Sequence, residues 1–239
     1  WCVMIGLLST SPAEDLPSVS AEVRLPRPMP LEDVKKLLEV VPADAVRDRA
    51  AIELFLNGLR NVEVCRMNFG WLSVVPSETT ICARVTGKGN VVGDVMLSPS
   101  CASALGIYVT MRLAGIGWRD YIASADNLLD GVDRCLRHYP SAQEKPVFEF
   151  RGHRATRQNL NEMFRTYRRK AGLSEAYGPH SLRHTCGTEL VEQGVDVRVV
   201  QEILRHSNIA QTVRYTQIRR GPKAAAMRRL PNFGGTVAI

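Results

Sequence analysis

A chain of 239 residues, 45% hydrophobic and 23% charged, is long enough to bury the core of one good-sized domain. The apolar opening Trp1–Leu8 lacks a basic n-region and is far too short to span a bilayer. The net charge of +7 is unevenly held: residues 134–230 carry 19 Lys and Arg against 8 Asp and Glu, a net of +11 against −4 elsewhere, which predicts a polyanionic partner, nucleic acid first. Six cysteines without a Cys-x-x-Cys pair predict reduced, buried thiols in a cytosolic protein.

In chain order, residues 9–30 hold five prolines and read as an extended connection. A helical stripe then begins with Leu31, Val34, Leu37 and Leu38. Residues 45–57 predict a second helix stopped by Gly58, with Asn61 placed to cap a short third. Between 81 and 97 the period changes to two around the turn Thr86–Asn90, which predicts a β-hairpin with Lys88 at its tip. A helix through Ala102, Leu105, Val109 and Leu113 follows, then a stretch at 115–133 to which the sequence assigns no function. Residues 146–150 read as a short strand and 156–171 as a helix. That helix is dense in Arg165, Arg168, Arg169 and Lys170, candidates for phosphate-backbone contacts.

The segment 180–215 concentrates the unusual residues. Leu182, Cys186, Leu190 and Val191 predict an amphipathic helix over 181–193, closed by Gly194. Asp196 is placed to cap a second helix through Val199, Val200, Ile203 and Leu204. Ser207 is placed to cap a third, with Ile209, Val213 and Thr216 facing inward. On that wheel Tyr215 falls off the apolar stripe, where a tyrosine is available for chemistry. His180 and Arg183 project from neighbouring positions of one helix entrance, Arg205-His206 ends the next helix, and Tyr215 comes nine residues later.

This pattern resembles the tyrosine recombinase (phage integrase) family: His-x-x-Arg, then Leu-Gly-His, then a nucleophilic Tyr on a following helix. His180, Arg183, His206 and Tyr215 match residue by residue, while Arg205 stands where the family usually has Gly. Gly58-Leu59-Arg60 followed by Glu63 is similar to the family's phosphate-binding element, and Lys88 to its hairpin lysine. The resemblance implies an α+β, mostly helical catalytic domain with a small antiparallel β-sheet over 30–220. It makes 1–29 a linker or the remnant of a missing N-terminal DNA-binding domain, and 221–239 a C-terminal tail that docks on its own domain or on a neighbour.

It also implies the chemistry. Breaking a phosphodiester without a metal or other cofactor needs fixed positive charge on the non-bridging oxygens. By resemblance Arg60, Arg183 and His206 hold the phosphate, Tyr215 attacks, Lys88 protonates the leaving 5′-oxygen, His180 moves a proton, and Glu63 supports the site. The implied partners are double-stranded DNA and further protomers in a tetramer on that DNA, with no membrane. Alternatives are a DNA-binding regulator on the same fold that does not cleave, and a DNA-relaxing enzyme like the type IB topoisomerases. The His180/His184 spacing also suits a two-histidine metal site, although Ser181 stands where a zinc protease helix would need Glu.

Overall fold

A computed structural model describes residues 2–12, 14, 27–86, 92–115, 128–138, 140–206 and 208–218. The linker is thus described only in part, and Lys88, the expected cap Ser207, most of 115–133 and the tail 221–239 lie outside the described residues.

Helix α1 (Leu31–Glu39) buries Val34 and Leu37 and leaves Leu31 exposed. Just before it, Met29 is buried, and its amide and carbonyl both bond the Thr185 hydroxyl at 2.8 Å, which pins the start of the domain to a helix 156 positions away. Helix α2 (Val46–Leu56) carries Arg47, Asp48 and Arg49 in its first turn, but every residue from Ala50 to Phe55 is buried, so its second half runs through the middle of the fold. It ends at Gly58, whose φ of +80° stops the helix; a Cβ there would stand 2.8 Å from Leu204 Cδ2. The chain therefore turns at once into α3 (Asn61–Arg66), capped by Arg60 rather than Asn61.

The hairpin forms as expected. Strands β2 (Thr80–Thr86) and β3 (Val92–Met96) pair antiparallel, with Cys82 opposite Met96 and Thr86 opposite Val92. A strand not anticipated, β1 (Leu72–Val75), adds to the other edge of β2, giving the order β1-β2-β3. Helix α4 (Pro99–Ala114) packs on α2, and α5 (Leu128–His138) lies on α4. A two-residue ladder, β4 (Glu149–Phe150) with β5 (His153–Arg154), leads into α6 (Arg157–Lys170), whose Thr156 cap accepts from Asn159 N.

Three helices complete the described fold: α7 (Pro179–Glu192), α8 (Val197–Leu204) and α9 (Ile209–Ile218). Asp196 caps α8 as expected, accepting from Arg198 N at 2.7 Å, and Asn208 accepts from Ala210 N at the start of α9. The main core extends from Met29 to Leu182 around Phe55, Phe148 and Phe164. A smaller cluster of Val191, Val200, Leu204 and Tyr215 holds α8 and α9 against α7. The fold is the mostly helical α+β domain with a small antiparallel sheet that the sequence implied.

Candidate active site

The site is assembled where Gly58, the start of α7, the end of α8 and the inner face of α9 meet. Arg183, on the buried side of α7, is 1% exposed. Its guanidinium donates to the carbonyls of Gly58 and Leu204, so one side chain ties the α2–α3 turn to the end of α8. Arg60 lies alongside, its Nη2 donating to Arg205 O at 2.9 Å and its Nη1 to Glu63 Oε1 at 2.8 Å. Glu63 is fully buried and also accepts from Arg60 N at 2.7 Å and Arg205 Nη2 at 2.7 Å. Burial alone would raise this carboxyl, but the Arg205 charge and the hydrogen bonds from both arginines prevail and hold it below its ordinary value.

One carboxylate among three guanidinia leaves the pocket strongly cationic, and the ionisable neighbours record it. Burial, then the charges of Arg60 and Arg205, lowers Arg183 to about 10. Burial, followed by the charges of Arg183 and Arg60, brings His206 down to about 3. His184 falls to about 4 through burial and then its His180 and Arg183 neighbours. Both imidazoles are thus neutral at physiological pH, and the pocket favours an anion such as a phosphate diester.

Tyr215 departs from expectation. It is 2% exposed, and Thr212 and Tyr215 form the buried face of α9, whereas Ile209 and Val213 are exposed. The reason is a hole in α7: Gly187 has no side chain, and a Cβ there would come within 2.8 Å of Tyr215 Cε2 and Cζ. The ring fills that hole, stacks 6.1 Å from His206 at 13°, and places its hydroxyl 2.9 Å from His184 Nδ1. Burial pushes the phenol up to about 12 even though Arg183 and Arg60 favour the phenolate. His206 Nδ1 in turn meets the Thr212 hydroxyl at 2.8 Å.

Arg60, Glu63, His180, Arg183, His206 and Tyr215 are therefore brought together from α3, α7, α9 and the end of α8. Sequence reasoning passed over His184 as a partner for the tyrosine, considering it only as a metal ligand. Its ring instead packs edge-on against His180 at 4.7 Å. Among the described residues, no three His, Cys, Asp or Glu side chains are grouped to hold a metal ion.

The basic helix α6 needs one correction. Arg168 was expected on the DNA-facing surface, but it is 6% exposed and donates to the carbonyls of Glu175 and Tyr177. It follows Leu160 and Phe164 at intervals of four and so continues the buried stripe. Arg165, Arg169 and Lys170 are exposed. Arg165, paired with Glu162 at 2.6 Å, lines a cleft of about 610 Å³ together with Arg157, Asn161, Asn61 and His180, so this cleft reaches the site.

A helical domain of this topology, with its arginines gathered beside a tyrosine near the C-terminus, is the catalytic domain of a tyrosine recombinase, an enzyme that cuts and rejoins DNA. The chain belongs to the phage integrase family, whose model matches residues 28–221. It is 32% identical over 222 residues to tyrosine recombinase XerC of Myxococcus xanthus, covering 91% of this chain and 67% of that protein. Its fold is similar to that of XerA recombinase, with a TM-score of 0.64 at 24% identity over 88% of this chain and 68% of that one. It also resembles XerH recombinase bound to its palindromic difH substrate in a post-cleavage complex, with a TM-score of 0.62 at 22% identity over 88% of this chain and 55% of that one. Among the described residues no helix is long and apolar enough to cross a membrane.

Proposed function

We propose that this chain performs site-specific recombination by passing a DNA 3′-phosphate through Tyr215. The observation that carries the reading is the convergence of Arg60 and Arg183, 123 positions apart in the chain, on main-chain carbonyls at one spot beside the tyrosine. Their planar guanidinia suit the non-bridging oxygens of a phosphodiester, and their charge is worth most where it builds up in the transition state. Tyr215 Oη passes its proton to the neighbouring histidines, with His184 Nδ1 2.9 Å away, and attacks phosphorus; a phosphotyrosyl bond forms and the bond to the 5′-oxygen breaks. Lys88 supplies the proton to that oxygen, His206 holds the phosphate with the arginines, and His180 assists proton movement. Glu63 fixes Arg60. Reversal with a different 5′-hydroxyl rejoins the strand without an external energy source, because the phosphotyrosyl ester retains the bond.

Arg165, Arg169 and Lys170, joined by Arg157, track the backbone of duplex DNA beside the reacting phosphate. Both strands of two duplexes must be cut and exchanged, one tyrosine per strand, so the working unit is a tetramer on DNA. In it the tail 221–239 docks on its own domain or a neighbouring protomer. Residues 1–29 connect to a further DNA-clamping region, and the setting is the cytoplasm of a prokaryotic cell.

The test is a pool of nicked duplexes of randomised sequence, in which the fragment released by cutting diffuses away and traps the adduct. The proposal predicts a covalent protein–DNA band on a denaturing gel that persists in excess EDTA. No band, or one that EDTA abolishes, would contradict it.

A further inference from the structure

The residue that departs from the family pattern, Arg205, sits at the centre of the phosphate-binding framework. It closes α8 with φ +52° and ψ +49°, a left-handed conformation that side chains other than glycine's seldom adopt. Arginine here works against the backbone, in the position where glycine would suit it best. Such a residue persists only when its surroundings hold it.

The side chain shows what holds it. It is 15% exposed, and its guanidinium donates to Ile203 O at 2.7 Å, to Gly58 O at 3.2 Å and to Glu63 Oε2 at 2.7 Å. The stem passes against β3, where a Cβ on Gly93 would stand 3.4 Å from Arg205 Cδ. Its own carbonyl receives Arg60 Nη2 at 2.9 Å. One residue thus touches the Gly58 turn, α3, α8 and the hairpin strand that follows Lys88 in the chain. Its guanidinium is engaged by Ile203 O, Gly58 O and both oxygens of Glu63, so it meets the site through Glu63 and the Gly58 turn.

We infer that Arg205 is a positioning residue for the strand-cutting reaction: it neutralises and locks the buried Glu63, so that Arg60 and Arg183 keep their charge and orientation for the scissile phosphate. Without Arg205, Glu63 would have Arg60 as its remaining ion-pair partner and would draw that guanidinium away from an incoming phosphate. The groups that face Glu63 are Arg60 on its own element, Arg205 from the end of α8, and Arg183 from α7, whose charge also feels it. This inference rests on the proposed DNA cutting.

The experiment compares wild type, Arg205→Gly, Glu63→Gln and the double variant in the trapped-adduct assay, with thermal unfolding of each. Arg205→Gly relieves the left-handed backbone, so folding is retained while the guanidinium is lost. The inference expects it to slow adduct formation by about tenfold or more, the scale seen when a hydrogen-bonded partner behind a metal ligand is removed. The acid limb of its pH–rate profile should move to higher pH, because Glu63 loses the charge that lowers it. In the Glu63→Gln background the same substitution should cost little further, since there is no carboxylate left to lock. A wild-type rate and unchanged acid limb in Arg205→Gly would overturn the inference, and so would an equal loss in both backgrounds, which would mark a direct DNA contact. Absence of any wild-type adduct would overturn the cutting reading together with this one.

Discussion

Replacing Gly187 by alanine probes the seat of the tyrosine. In the interior of α7, alanine is favoured over glycine by about 1 kcal/mol, so on propensity alone the variant should be more stable. The added Cβ, however, would lie 2.8 Å from Tyr215 Cε2 and Cζ and 2.9 Å from Leu204 Cδ1. Carbon atoms prefer roughly 3.5–4.0 Å, so the ring must retreat by about 0.7 Å or more and lengthen its 2.9 Å bond to His184. Overpacking of this kind costs about 1–3 kcal/mol, which outweighs the helical gain and leaves a net loss of about 0–2 kcal/mol. In a Tyr215→Ala background the obstacle is gone and Leu204 has room to swing, so the same change should become stabilising by about 1 kcal/mol. Urea unfolding of the four proteins without DNA measures the cycle. If Gly187→Ala stabilises both backgrounds alike, the ring is not seated over Gly187 and the account of α9 is wrong.

Other outcomes follow from the same geometry. Arg60→Ala and Arg183→Ala should each slow cutting by about 10³-fold, the order found for removing an arginine from phosphoryl transfer. Arg183→Ala should in addition lower stability by about 1–3 kcal/mol in denaturant titrations, because it removes the side-chain donor to Leu204 O and leaves Gly58 O with the 3.2 Å bond from Arg205; Arg60→Ala should lose less. Stability without DNA should fall as pH drops below about 6.5, where the unfolded histidines begin to take up protons that the fold refuses. The fall should continue through about 4 for His184 and about 3 for His206, with a slope of up to ~1.4 kcal/mol per pH unit for each, and His184→Phe should flatten it in a pH series of unfolding curves. Lys88→Ala should be severely slowed on ordinary DNA and rescued by a sulfur-substituted 5′ leaving group, which needs no proton; failure of that rescue would remove Lys88 from the acid role.

Much of this architecture could be read in the sequence because periodicity is a local signal. The stripe in 182–191, the Asp196 cap and the alternation of 81–85 each report one element's own geometry. The spacing of Arg60 from Glu63 and of His180 from Arg183 was legible for the same reason, since each pair lies within one helical turn. What escaped was the direction elements face once packed. Ile209 and Val213 are apolar residues of α9, yet the helix turns Thr212 and Tyr215 inward, because the hole that receives the tyrosine ring is made by Gly187 on another helix. The two-state contrast between Arg168, buried, and its neighbour Arg169, exposed, is invisible in a run of like residues unless the i+4 stripe from Leu160 is followed through it. Arg205 looked like a loss of the usual glycine, and only the packed structure shows its guanidinium on Glu63, 142 positions away. β1 was missed because four residues are too few for a clear alternation.

The most direct test of the central claim is to digest the trapped protein–DNA adduct and locate the nucleotide by mass spectrometry. The account predicts a 3′-phosphate esterified to Tyr215, and no adduct from Tyr215→Phe although its DNA binding stays near wild type. A nucleotide on any other residue, a 5′-linked adduct, or undiminished adduct from Tyr215→Phe would contradict it.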